Sequence, residues 1–464
     1  MVKSLITSYF DTDLDLIRKY ATSGPRYTSY PPANRFHDRL LEVDVPAAMA
    51  ADNTDPDRPL SLYCHLPFCE SLCWYCGCAT IITRNKEWAR KYLRLLEREI
   101  TWVARQINPG RRVNQLHFGG GTPTFFPPES LRRLGEVLRR EFKFAEDAEI
   151  SIEIDPRTLT AEHVGALVDM GVNRASLGVQ DTNPVVQEAI HRVQPHTLNE
   201  QAVAWLRVGG IHAISLDLIY GLPRQTVASV QQTVDDVLAL SPQRLSVFSY
   251  AHVPWVRPAQ RIFDQRGELP DLEAKLAMFQ AITAKLTAAG YIDIGLDHFA
   301  RPDDELCVAL QRGDLHRNFQ GYSTRAGASL HGFGISSISQ TTDVYFQNHK
   351  SLDAYETDLN AGRWPLARGY RLRDEEKRRR RLIMGIMCHR ELNFGELSAE
   401  FGFDVRLAYR TELKSLAAME RDGVVAIDGQ RLVVLPRGIP MLRVVAMAFD
   451  RSPAVTGPVH ASTI

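Results

Sequence analysis

The chain has no net charge: 55 lysines and arginines balance 55 aspartates and glutamates over 464 residues. It therefore lacks the global basic field that would argue for nucleic acid. No apolar run approaches the roughly 20 residues that a bilayer span needs, so no membrane span is expected. The first residues, Met1 to Thr7, are soon followed by Asp11, Asp13 and Asp15, which is not the pattern of a secretory signal. There is no internal repeat. Cysteine is scarce outside one window, since five of the seven lie between Cys64 and Cys78. That distribution argues against a disulfide framework and for a cytoplasmic protein with a metal site. Cys307 and Cys388 stand alone and are expected to be buried small hydrophobes.

The length calls for two or three domains. Residues 1–45 are polar and Pro-rich. Gly24 to Pro32 holds several prolines and tyrosines, which favours an extended arm over a helix. Residues 46–370 carry short β-like runs alternating with amphipathic helical stretches. The strand candidates are Leu60–His65, Val113–Phe118, Glu149–Ile154, Arg174–Val179, Ile214–Ile219 and Arg244–Tyr250. Between the first two lies a helix with Trp88, Tyr92, Leu96, Ile100 and Val103 on one stripe. The alternation predicts an α/β fold with a parallel sheet, and six units suit an incomplete (β/α)6 barrel. Arg301–Glu305 and Gly327–Gly334 read as loops over its mouth. Residues 371–464 form a small, mostly helical C-terminal domain, ending in a hairpin of Val424–Ile427 and Arg431–Leu435 turned by Asp428-Gly429. The basic run Lys377–Arg381 reads as a solvated helix face.

In the cysteine window Cys69, Cys73 and Cys76 are spaced C-x3-C-x2-C. Thiolates so close in sequence can converge on one metal centre. A [4Fe–4S] cube takes four ligands, so a compact trio leaves one iron open for a small molecule. Zinc would want four closed ligands, and Cys78 could supply the fourth, but four thiolates within ten residues leave little room for a zinc-ribbon turn. The spacing resembles the signature of radical S-adenosylmethionine (SAM) enzymes. In that superfamily SAM chelates the open iron, and its reductive cleavage yields a 5′-deoxyadenosyl radical.

Parallel barrels carry their sites at the C-terminal strand ends. After the first strand come the cysteines. After the second comes Gly119-Gly120-Gly121-Thr122-Pro123, where glycines permit close backbone approach and expose N–H donors. The third ends at Glu153, a carboxylate that needs a partner in an apolar strand. The fourth delivers Gln180 with Arg192 following, the fifth Asp217, and the sixth Tyr250-Ala251-His252. Any one of these can be a satisfied structural group; the series points to a common ligand pocket.

Together these motifs resemble the oxygen-independent coproporphyrinogen III oxidase (coproporphyrinogen dehydrogenase) family, from about Arg26 to Asp450. Its further marks are Arg26–Pro31, Cys76-Gly77-Cys78, Gly221-Leu222-Pro223, Asp297–Pro302 and His316–Tyr322. The resemblance implies an oxidoreductase of haem biosynthesis. Such enzymes convert two propionates of coproporphyrinogen III to vinyls, giving protoporphyrinogen IX. It implies one [4Fe–4S] cluster on Cys69, Cys73 and Cys76, with Cys78 not binding iron. It implies two SAM sites, the first touching Tyr63, Gly120, Glu153 and Ile338. The second touches Tyr75, Gly121, Thr122, Gln180, Arg192, Asp217 and Ala251. Tyr63, His65 and the substrate-side Gln320 are the implied catalytic residues. An electron donor such as a flavodoxin or ferredoxin, and a monomeric state, are implied as well. The substrate's four carboxylates call for arginines that the sequence does not single out. Two departures stand out: Cys64 where an aliphatic residue is expected, and a tail from Phe449 to Ile464 without the usual aromatic and basic ending. A haem chaperone and a haem-degrading radical SAM methyltransferase share the cysteines, and a non-catalytic iron–sulfur sensor is a third reading. The rim series argues against the sensor.

Overall fold

The computed structural model of the chain describes residues 14–451. The expectations for the first thirteen residues and for the tail from Ser452 onward lie outside them. Twelve strands form one sheet. Its parallel strands include β1 (Leu60–Leu66), β2 (Arg112–Gly120), β3 (Lys143–Ile154), β4 (Arg174–Gln180), β5 (Ala213–Tyr220) and β6 (Arg244–Ser249). The six predicted strands are these, with ends displaced by a few residues. β7 (Ile292–Gly295) and β8 (His298–Ala300) follow on one edge. On the other edge lie β9 (Ser329–Phe333), β10 (Ile338–Gln340), β11 (Val344–Asn348) and β12 (Leu366–Arg371). The spatial order is β12-β11-β10-β9-β1-β2-β3-β4-β5-β6-β8-β7, an open sheet.

β9 corrects the sequence reading. It pairs in parallel with β1 from Leu60↔Ser329 to Cys64↔Phe333, so the parallel run has seven strands, and Gly327–Gly334 is not a loop over the mouth. All five of its residues are buried. Burial on both faces removes the alternation that marks a strand, and Ser, His and Gly hide the rest. Arg301–Glu305 is also misplaced. Asp304 and Glu305 hold Arg244 and Arg174, the first residues of β6 and β4, at 2.9 and 2.8 Å. That segment therefore closes the N-terminal end of the barrel, opposite the cysteines.

The helix Glu87–Ala104 buries Tyr92, Leu96, Ile100 and Val103 against the sheet, while Trp88 at the start of the stripe stays exposed. Cys64 is a buried core residue of β1, and Cys307 and Cys388 are buried as expected. A hairpin of His316–Asn318 and Gly321–Ser323 lies across the inside of the open sheet. Ser323 accepts from Gln115 of β2 at 3.4 Å, and the Tyr322 ring stands edge-on to His298 of β8 at 5.3 Å.

In the arm, Gly24–Pro32 is non-helical as expected, but a helix, Leu14–Tyr20, precedes it. Tyr27 and Tyr30 are buried in the C-terminal core, and the Tyr27 hydroxyl donates to Asp450 at 2.9 Å. The C-terminal hairpin forms as Val425–Ile427 and Arg431–Val434, joined by a third strand, Glu391–Asn393, that the sequence did not reveal. The run Lys377–Arg381 is not a uniformly solvated face: Arg379 is buried and paired with Glu412 at 2.9 Å.

Candidate active site

β1 ends in Leu66, and the chain turns at once into the cysteine loop, whose two-residue strands Phe68–Cys69 and Ile81–Ile82 pair in parallel. Cys69, Cys73 and Cys76 line one cavity of about 260 Å3 at the C-terminal strand ends. Tyr75, Gly120, Gly121, Thr122, Glu153, Gln180, Arg192 and Asp217 line the same cavity. Ala251 lies one layer out, its carbonyl oxygen accepting from Gln260, which also bonds the Tyr75 carbonyl at 3.0 Å. Tyr63, His65, Ile338 and Gln320 are not among the residues that line this cavity. Ile338 packs with Phe319 against Phe36 and Tyr345, and Gln320 sits in the turn of the hairpin.

The glycine segment works differently from expectation. Its N–H groups are spent inside the protein: Gly120 donates to Glu153 at 3.1 Å, and Gly121 and Thr122 donate to the carbonyls of Leu66 and Phe68, both at 2.9 Å. These bonds pin the cysteine loop to β2. Gly121 is needed because a β-carbon there would lie 2.5 Å from the Pro67 carbonyl. The Thr122 hydroxyl meets Cys69 Sγ at 3.3 Å.

The three thiols differ in electrostatics. Burial pushes the Cys69 thiol up to about 12. Cys76 is pulled down to about 6, first by the hydrogen bond from the Cys78 thiol, with Arg257 and Arg192 adding positive charge. Cys78 is raised well above its ordinary value and keeps its proton. Cys73 is approached by the guanidinium groups of Arg192 and Arg157 at 3.6 and 3.7 Å. Cys78 lines the cavity too, and three further cysteines there, with donors turned on the sulfurs of Cys73 and Cys76, suit an anionic iron–sulfur cluster.

Arg192 is buried. It donates to Asp155 at 3.0 Å and to the Gly178 carbonyl at 2.7 Å, and Arg157 donates to the same Asp155 oxygen at 2.6 Å. Burial works to raise the Asp155 carboxyl, but the two guanidiniums outweigh it and hold it at about 2. Asp155 and Arg157 were missed in the sequence. Their signal was an Asp-Pro-Arg directly beyond Glu153, at the same strand end.

Glu153 faces the cavity between Gly120 N–H and His117, whose Nε2 is 3.4 Å away. Desolvation raises its carboxyl, yet these two partners leave it below the ordinary value, so it is an anion. Asp217 accepts from Ser176 at 3.0 Å, and burial pushes it up to about 6. His65 Nε2 lies 2.9 Å from the Ala79 carbonyl, which can only accept, so Nε2 carries the proton. Burial lowers the His65 pKa, leaving Nδ1 as the acceptor for the Tyr63 hydroxyl at 3.0 Å. His117, stacked on Tyr63 at 5.9 Å, was likewise unassigned in the sequence.

The radical SAM superfamily model matches residues 63–237, and the HemN C-terminal domain model matches residues 372–441. The oxygen-independent coproporphyrinogen III oxidase of Synechocystis sp. is 42% identical over 440 residues, covering 94% of each chain. That of Pseudomonas aeruginosa is 43% identical over 445 residues, covering 95% of each. The solved structure of coproporphyrinogen III oxidase (HemN) from Escherichia coli, a radical SAM enzyme, superimposes with a TM-score of 0.89 at 41% identity. It covers 95% of this chain and 98% of that one.

Proposed function

This chain belongs to the oxygen-independent coproporphyrinogen III oxidase family, and from that membership we infer that it oxidatively decarboxylates two propionates of coproporphyrinogen III to vinyls, giving protoporphyrinogen IX. The relatives' names favour this over the haem-chaperone and haem-degrading readings. The observation that carries it is the cavity itself, lined by Cys69, Cys73 and Cys76, with Cys78 beside them, together with Glu153, Gln180 and Asp217.

A [4Fe–4S] cluster and SAM would supply the one-electron chemistry that removes a hydrogen atom from the propionate β-carbon; loss of carbon dioxide then leaves the alkene and one surplus electron, which passes to an external one-electron acceptor. Cys69, Cys73 and Cys76 would hold the cluster, and Cys78 keeps its proton and donates a hydrogen bond to Cys76. Glu153, an anion beside the Gly120 N–H, offers an acceptor to an ammonium or ribose hydroxyl. Asp217, Gln180 and Arg192 line the farther wall and would serve a second SAM, with Tyr75 and Ala251 beside them. Tyr63 and His65 form a neutral hydrogen-bonded pair near the end of β1, where they would assist the reaction without adding charge. The enclosing strands keep water from the radical.

An electron donor such as a flavodoxin or ferredoxin, a monomeric state and a cytoplasmic setting complete the proposal; no helix among the described residues is long and apolar enough to cross a membrane. The test is isotopic. With substrate deuterated at the propionate β-carbons, the anaerobic reconstituted protein should place deuterium in 5′-deoxyadenosine. Deoxyadenosine free of deuterium would refute hydrogen removal at that carbon.

A further inference from the structure

The substrate of the proposed function carries four carboxylates, and a binding subsite for them rests on that function. Four cations from separate parts of the chain converge beside the C-terminal ends of β5 and β6. They are Arg26 of the arm, Lys275 of the helix Leu272–Ala288, Arg317 of the hairpin and Arg443 of the helix Leu442–Met447. The carboxylate that faces them is Asp297, and Arg443 takes it at 3.4 Å. Among the described residues, Arg26 and Lys275 donate to the backbone carbonyls of Ser249 and Tyr250, each at a long 3.5 Å. Arg26 is still touched by solvent, yet crowding by protein and then the charges of Arg443 and Arg317 lower its pKa.

Arg317 is the least satisfied of the four. Its Nε and Nη1 are buried without a hydrogen-bond partner, and its guanidinium lies over the Tyr322 ring at 4.8 Å. Gln320, three residues on, has both amide atoms buried without a partner. Arg317 also borders a cavity of about 570 Å3 against the helix Asp374–His389. Several other cations there are paired, Arg325 with Asp147 at 2.7 Å, Lys377 with Asp343 at 2.7 Å and Arg381 with Glu400 at 3.1 Å, while Arg380 donates to the Tyr345 hydroxyl at 3.2 Å and the Thr342 carbonyl at 3.4 Å. A chain of rings leads inward from Arg317. Tyr322 is edge-on to His298 at 5.3 Å, His298 is edge-on to Phe248 at 5.8 Å, and Phe248 lines the cavity of the three cysteines.

We propose that Arg317 and Arg26 bind carboxylates of the tetrapyrrole's propionates at the barrel mouth, with the Gln320 amide completing the subsite. Unpartnered guanidinium N–H groups beside an aromatic ring suit a planar carboxylate carried on the rim of a tetrapyrrole. The pair would anchor propionates outside the cavity while another reaches past Phe248 toward Tyr63 and His65.

The test is a fluorescence-quenching titration of anaerobically reconstituted holoprotein with coproporphyrin III, a tetracarboxylate, and with its tetramethyl ester. R317Q and R26Q should each weaken tetra-acid binding about tenfold or more. Ester affinity, iron content and SAM binding should not change, and R317K should recover part of the tetra-acid affinity. Unchanged tetra-acid binding in R317Q and R26Q would overturn the proposal. So would an equal loss for acid and ester, which marks a structural role. A wild-type protein that binds neither porphyrin would overturn the functional reading as well, whereas tight wild-type binding with indifferent variants sinks only the subsite.

Discussion

The imidazole of His65 occupies the space that a β-carbon on Gly120 would need. That carbon would lie 2.5 Å from His65 Cε1 and 2.6 Å from Nδ1, and Gly120 sits at φ +114°, a conformation that side chains avoid. The glycine segment thus sets the position of the Tyr63–His65 pair as well as pinning the cysteine loop.

Gly120→Ala should therefore push His65 off Tyr63. Displacements of about 1 Å in oriented reactions cost about a hundredfold in rate. Turnover should fall by at least that much while the protein keeps its iron. A variant with wild-type turnover would show that the pair's position does not matter.

Cys78 should not be a cluster ligand. In the Cys76–Cys78 pair the proton stays on Cys78 and the negative charge on Cys76. Anaerobic iron counting should give a full cluster in Cys78→Ser and a loss in Cys69→Ser, Cys73→Ser and Cys76→Ser. Iron lost from Cys78→Ser but kept in Cys69→Ser would reverse the assignment.

The second SAM site should be pH-sensitive. Asp217 titrates at about 6, so it is an anion above that pH and neutral below it. Bound SAM should fall from two per chain to one as pH drops through 6, and Asp217→Asn should hold one at every pH. A wild-type protein that saturates with one SAM at pH 8 contradicts the assignment of this wall.

How much of the fold and site was legible in the residues depended on where each signal lay. The six strands and the cysteine trio were visible because alternating elements and a tight spacing are local. β9 was not, because Ser329–Phe333 is covered on both faces and carries no period. The glycine donors were misread because their acceptors, the carbonyls of Leu66 and Phe68, are more than fifty residues away. Asp155 and Arg157 stood at a strand end that the sequence marked, but their role was hidden because it lies in Arg192 and Cys73, brought in from other loops. Arg379 looked solvated within its basic run until Glu412 folded against it.

A buried carboxyl outside the cavity of the cysteines gives a stability prediction. Burial lifts Glu99 from 4.5 to about 7, against hydrogen bonds from Tyr355 at 2.6 Å, Gly334 N–H at 2.7 Å and Asn348 at 2.6 Å. Between those two values the folded chain keeps a proton that the unfolded chain releases. Stability should therefore fall as pH rises from 4.5 to 7, by about 3 kcal/mol at most from this group. Glu99→Gln should flatten that slope in denaturant titrations, whatever its cost at pH 5. An unchanged slope would remove Glu99 as its source.

The most direct test of the account is a product count. Anaerobic, cluster-reconstituted protein with SAM, an electron donor and coproporphyrinogen III should release two molecules of carbon dioxide for each porphyrinogen, with a divinyl product. SAM cleavage with no carbon dioxide released, in a protein that holds its full cluster, would contradict it.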